Sequence, residues 1–170
     1  MGRVFGYTIF FAVCIFLVSC TGSKRAEQGS PVSYSKAHWL KKKHMEPLVD
    51  FACKQLKVPY KWGGSTPKGF DCSGFTTYCY AHLGVQLPRT AIDQSVSGKR
   101  IRSRRAKAGD LIFFKGSDEK QKKVAHVGIV VSGKKSNIKF IHAASKGVTI
   151  SQLSEDYFSK RFKTIRRIRK

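Results

Sequence analysis

Acidic side chains are scarce in this chain of 170 residues, with 10 Asp and Glu against 33 Lys and Arg and a formal net charge of +23. No internal repeat is visible, which excludes a solenoid or propeller. No CxxC or HxxxH pair occurs, so no zinc-ligand spacing supports a metal site, and neither a metal nor an organic cofactor is expected. Apolar runs are short as well. The longest, Tyr7 to Val18, is interrupted only by Thr8 and is brief for a stable transmembrane helix. Hydrophobic residues still make up 41% and aromatics 12%, enough to fill the core of one domain, which excludes disorder by composition.

The short apolar run suits a signal peptide. Arg3 supplies the positive start, and Leu17-Val18-Ser19-Cys20 resembles a bacterial lipobox, whose cysteine is lipidated and becomes the new N-terminus. The competing reading is an uncleaved anchor with an incidental Cys20. Either way, residues beyond 20 are expected outside the cytoplasm, held to a membrane of the bacterial cell envelope. Residues 21–37 read as a flexible Ser/Gly/Lys-rich tether, and 38–170 as the folded domain. Of five cysteines, Cys53, Cys72 and Cys79 then remain in the domain. Three is an odd number, so at least one thiol is free or reactive. A Cys53–Cys79 disulfide and two buried, unpaired cysteines are both open, and their apolar helical settings favour the second.

Periodicity predicts a helix across His38 to Lys57, with Leu40, Leu48, Phe51, Ala52 and Leu56 on one face and a break or restart near Pro47. A second helix is predicted over Cys72 to Leu83, capped by Asp71 and ended by Gly84. A short third helix runs from Pro88-Arg89-Thr90 to Val96, and a basic linker follows. Strands are predicted at Asp110–Lys115, His126–Ser132, Ile138–Ala143, Val148–Ile150 and Phe162–Ile168, with a brief helix capped by Ser154 before the last. Helices first and an antiparallel meander afterwards is an α+β order, with N-terminal helices packed on the sheet.

Cys72 falls in the first turn of its predicted helix, where free N–H groups and the helix dipole favour thiolate. His126 opens one strand and His142 ends the next. If these strands pair through the 132–138 turn, partners have residue numbers summing to about 270, which brings the two imidazoles within a rung or two on one face. That face is expected to look toward the helix end bearing Cys72. A cysteine, a base and a group orienting the base form an activated-nucleophile arrangement. A packed helical cysteine and surface histidines are the bland alternative. Zinc held by Cys72, His126 and His142 is chemically allowed but lacks supporting spacing.

Six short stretches, Tyr60-Lys61-Trp62-Gly63-Gly64, Phe70-Asp71-Cys72-Ser73-Gly74-Phe75, Leu87-Pro88-Arg89-Thr90, Gly109 to Phe114, His126-Val127-Gly128-Ile129 and Phe140-Ile141-His142-Ala143, occur in the order found in a known family. Over residues 45 to 170 the chain resembles the NlpC family of papain-like cell-wall peptidases. With its lipobox and the Gly64–Gly69 loop, it looks most like the Spr/MepS-like lipoprotein murein endopeptidases. The resemblance implies a papain-like fold and a triad of Cys72 as nucleophile, His126 as general base and His142 as its orienting partner. It implies hydrolysis of stem-peptide or cross-link bonds of peptidoglycan, either D-Ala–diaminopimelate or D-Glu–diaminopimelate. Tyr60 matches an active-site tyrosine that helps the Cys72 N–H bind the oxyanion, or is a core tyrosine. Asp71 and Ser73 match positions that meet a substrate amine, with helix capping the other role for Asp71. Arg89 either reaches a substrate carboxylate or is structural.

The basic runs, Lys41–Lys43, Lys99 to Lys107, Lys120 to Lys123 and Arg166 to Lys170, would alone suggest nucleic acid. Export argues against that partner and for weak electrostatic retention on peptidoglycan or anionic lipid. The domain is expected to act as a monomer. A non-catalytic wall-binding lipoprotein and a thiol acyltransferase on the same fold are the rival functions.

Overall fold

A computed structural model describes residue 2 and residues 46–116, 122–134 and 137–168. The chain divides into two units, Met1–Ser30 and Pro31–Lys170, and the architecture below belongs to the second. The expected signal peptide apart from Gly2, Cys20, the expected tether, Leu40 and the Lys41–Lys43 run lie outside the described residues, as do Lys120, Arg169 and Lys170. Among the described residues no helix is long and apolar enough to cross a membrane.

Helix α1 spans Glu46–Cys53, with Pro47 in its first turn, where its missing N–H costs no helical bond. Leu48 and Ala52 are buried as the periodicity requires, but Leu56 is exposed. The helix has ended before Leu56, and Lys57 turns the chain with φ 70°, taking that side chain off the core face. Residues Ser65–Thr66 (β1) and Gly69–Phe70 (β2) form a two-stranded hairpin within the predicted loop. Helix α2 then runs Cys72–Ala81, with the Asp71 carboxylate accepting from the Gly74 N–H as its cap. Gly84, at φ 72°, follows its end. Helix α3 is Ala91–Val96, capped by Thr90.

The main sheet has six antiparallel strands: β3 (Lys99–Ile101), β4 (Leu111–Lys115), β5 (Val124–Lys134), β6 (Asn137–Ala144), β7 (Gly147–Gln152) and β8 (Phe162–Arg167). Their order is β3-β8-β4-β5-β6-β7. Strand β3 and a 3-10 turn at Ser103–Arg105 lie inside the expected basic linker. Helix α4, Asp156–Arg161, is preceded by Glu155 rather than capped by Ser154, and Glu155 has no capping side-chain bond. Its carboxylate instead turns back to accept the Gln152 N–H at 2.6 Å.

Side chains alternate between the two faces of the sheet. Leu111, Phe113, Val127, Ile129, Ile141 and Ala143 pack with Leu48, Ala52, Phe75 and Cys79 of α1 and α2. Ile112, Phe114, Val130, Phe140 and Ile165 form a second cluster under Phe158 of α4. The fold is therefore α+β, with the early helices on one face and α4 on the other. Buried Asp110 ties the end of the chain to this sheet by accepting two bonds from Arg167, at 2.7 and 2.8 Å, and one from the Lys107 N–H at 2.9 Å.

Candidate active site

Cys72 is the first residue of α2, and two glycines decide where that helix tip sits. A Cβ on Gly74 would lie 2.0 Å from the Gly64 carbonyl oxygen, so only glycine lets the Gly63-Gly64 turn close on the helix. The Asp71 N–H donates to that same carbonyl at 2.9 Å. Buried Gln94 fastens the other side, donating to the carbonyls of Ser73 and Pro88 at 3.2 and 2.8 Å. So held, the Cys72 thiol points at the carbonyl of Ala125, 3.9 Å away, with the Val127 N–H also acting on it. These two groups flank His126 in sequence, so the sulfur rests against the strand at the residue proposed as its base.

Ile129 pairs with Ile141 and Val130 with Phe140, which is the register anticipated from the turn. Gly128 lies against His142, where an added Cβ would approach the His142 Cβ to 3.1 Å. The outcome is direct contact between the imidazoles, His126 Nε2 to His142 Nδ1 at 2.8 Å. His142 Nε2 continues the chain to the Ser151 hydroxyl at 3.2 Å. If His142 Nε2–H donates to Ser151, His142 Nδ1 is an acceptor and His126 carries its proton on Nε2, leaving Nδ1 as a free base.

The two imidazoles do share one face, but it is not the face packed on α2. Alternation puts them with Phe114, Phe140 and Phe158, with ring centroids 5.0 Å from Phe140 and 5.3 Å from Phe158 for His142. Cys72 belongs with the α2-side cluster and meets the strand beside His126, beyond the last β5–β6 pair.

The electrostatics also differ from the helix-tip expectation. Burial raises the Cys72 thiol above its ordinary range and the Asp71 charge adds to this, while N–H groups of Val127, Ser73 and Cys72 itself pull it down. Burial lowers His126 to about 4, and burial with the neighbouring His126 lowers His142 to about 3. The resting site at neutral pH thus holds a thiol and two neutral imidazoles. Desolvation outweighs the helix dipole.

Arg89, a candidate for a substrate carboxylate, already grips Asp71. Its Nη2 and Nη1 donate to the two Asp71 oxygens at 2.6 and 3.0 Å, and Nη1 donates to the Ser73 hydroxyl at 3.0 Å. Burial alone would raise the Asp71 carboxyl, but the bond from Arg89, the Gly74 N–H and the Arg89 charge hold it below the usual range. Tyr60 is exposed at the rim, bridged to Phe70. Burial raises its phenol, and charge on Cys72 and Asp71 raises it further, which sets the ring in electrostatic reach of both.

Cys53 and Cys79 are free thiols, and burial pushes Cys79 far above the thiol range. Among the described residues no group of three His, Cys, Asp or Glu side chains is arranged to hold a metal. Ser151 lies beyond the expected strand end at Ile150, whereas the strand runs to Gln152. Alternation from Thr149, the partner of His142, puts Ser151 on the same face, opposite Phe140 and two rungs along.

The NlpC/P60 family model matches residues 57–167. Murein DD-endopeptidase MepS/murein LD-carboxypeptidase of Escherichia coli K12 is 31% identical over 174 residues, covering 92% of this chain and 88% of that protein. The bifunctional muramidase/DL-endopeptidase CwlT of Bacillus subtilis is 38% identical over 125 residues, 73% of this chain. This chain spans only 36% of the length of CwlT. The crystal structure of an NlpC/P60 family protein from Bacillus cereus superposes with a TM-score of 0.67 at 30% identity, covering 74% of this chain and 40% of that one.

Proposed function

This chain belongs to the NlpC/P60 family, and on that premise we propose that it is a cysteine peptidase cutting peptide bonds in peptidoglycan stems or cross-links. The observation that carries the proposal is the linear relay Cys72, His126, His142, Ser151, in which each member touches the next or the backbone beside it.

In this reading, His126 Nδ1 takes the thiol proton as Cys72 Sγ attacks the scissile carbonyl carbon. Because both groups rest neutral, proton transfer accompanies attack and the charges appear only as the bond forms. The oxyanion is met by the Cys72 N–H and the Tyr60 hydroxyl. Collapse breaks the C–N bond, and His126 returns its proton to the leaving amine. Water, deprotonated by the same nitrogen, hydrolyses the thioester and restores the thiol. His142 holds the tautomer throughout. Asp71 and Arg89 are assigned to positioning the helix tip, with Ser73 beside them at the edge where a stem amine would enter.

Residues 1–20 are proposed as a signal peptide, with lipid on Cys20 holding the domain at a membrane of the envelope. Cys20→Ala should move the chain from the detergent phase to the aqueous phase on partitioning. The names of the two relatives cover both DD- and DL-endopeptidases, so the bond is a matter for product analysis. Incubating the chain with purified sacculi and identifying fragments by mass spectrometry should show new amino and carboxyl termini. New amides or esters would point to acyl transfer, and intact sacculi would point to a wall-binding protein.

A further inference from the structure

The basic segment after α3 is not absorbed by the catalytic reading, and it builds a groove of its own. A cavity of about 540 Å³ opens where β3 leaves the sheet and β8 begins, lined by Arg100, Ile101, Arg102, Phe162, Lys163 and Thr164 among others. Three of these side chains are cationic, and among the described residues no acidic side chain lines it.

Two features separate this groove from an ordinary solvated face. Arg100 stands directly opposite Arg166 in the β3–β8 ladder, a like-charge juxtaposition that costs stability unless something neutralises it. The neighbouring pair, Lys99 and Arg167, is relieved because Arg167 is bonded to Asp110. In addition, the Thr164 hydroxyl, which lines the cavity, is covered yet makes no hydrogen bond. It can donate, and an oxyanion would supply the missing acceptor. Ile101 and Phe162 add an apolar wall for whatever carries that oxyanion.

The groove also lies at the catalytic end of the sheet. His126 pairs with Phe114, and Phe114 with Phe162, so β5 and β3 present the site and the groove side by side. Three strand steps separate them, roughly 14 Å at the usual spacing. We propose that this groove is an exosite for carboxylates of peptidoglycan, gripping an uncut stem of the polymer while the scissile stem lies at Cys72. The proposal rests on the peptidoglycan reading above. The position beside the catalytic end favours the substrate polymer over an anionic membrane, whose phosphates have the same charge.

The test uses the full chain with Cys72→Ala, so that binding is read without cutting. The variant R100Q/R102Q/K163Q removes the groove charges, and K54Q/K139Q/K146Q removes as many from exposed sites elsewhere. Each is first checked for a thermal transition no lower than that of the parent chain, and relief of the Arg100–Arg166 repulsion should raise that of the groove variant. Co-sedimentation with sacculi at low salt should weaken about ten-fold for the groove variant and less than about two-fold for the control. Sacculi whose carboxylates have been converted to amides should bind wild type and groove variant alike. With Cys72 restored, the groove variant should keep its kcat/KM on a short soluble stem peptide. Equal losses in both variants, or a loss confined to phosphatidylglycerol vesicles, would overturn the exosite. A wild-type chain that binds through the groove but cuts nothing would instead overturn the peptidase reading alone.

Discussion

His126 Nε2 and His142 Nδ1 lie 2.8 Å apart, which leaves Nδ1 as the His126 nitrogen that His142 does not engage. Removing the acceptor frees the His126 tautomer and its ring angle. His142→Ala is expected to cut kcat/KM by about 10²- to 10⁴-fold. His142→Asn, whose amide oxygen can still accept the Nε2–H, should recover much of that. Initial rates on a soluble stem peptide measure both, and equal losses would show that acceptance is not the role of His142.

The acid limb of activity should fall unusually low. As the proposed base, His126 would act only when neutral, and burial moves its protonation from 6.5 to about 4. The kcat/KM profile should therefore drop near pH 4 rather than near 6.5. Stability has the same origin. Between pH 6.5 and about 4 the unfolded chain binds protons that the folded imidazoles refuse, so stability falls as pH falls through this window. His142→Asn removes one such group, and thermal melts of that variant should show a shallower decline.

Asp71 and Arg89 set the thiol from opposite sides. The Asp71 charge raises Cys72, whereas Asn at that position can still cap the helix. Asp71→Asn should lower the thiol pKa and speed alkylation of Cys72 at neutral pH by several-fold, roughly in step with the thiolate fraction. Arg89→Ala leaves the carboxylate without its guanidinium partner and should slow alkylation. Iodoacetamide rates across pH, read at the Cys72 peptide, check both directions.

The buried Asp110–Arg167 pair makes a separate claim about stability. Asp110→Ala strands a guanidinium whose side chain is only 22% exposed, and should cost about 3–5 kcal/mol in urea unfolding. Combining it with Arg167→Met removes the stranded charge and should restore part of that loss.

Much of this architecture was legible in the sequence because turns and alternation constrain it strongly. Pairing through the 132–138 turn anticipates the β5–β6 register at Ile129 and Ile141 to within the one-residue bulge between Val130 and Ser132, and with it the meeting of His126 and His142. Asp71 read as a cap because a short carboxylate before a helix has few better partners. Arg89 is harder, since nothing local says that a guanidinium will fold back across α2 onto the cap of that helix. Strand β3 was hidden by its own composition, because Lys99 and Arg100 carry no apolar alternation and pairing with β8 alone makes them a strand. The thiol departs from the helix-tip expectation for a related reason. A helix tip is visible in sequence, while the burial that outweighs it depends on strand β5 closing over Cys72.

The most direct test is to mix the chain with a soluble stem peptide, quench with acid within a turnover, and weigh the intact protein. A mass gain equal to the acyl fragment, mapped to Cys72 and absent from Cys53 and Cys79, is the predicted result. Undiminished fragment release by Cys72→Ala, with no adduct on the native chain, would contradict the account.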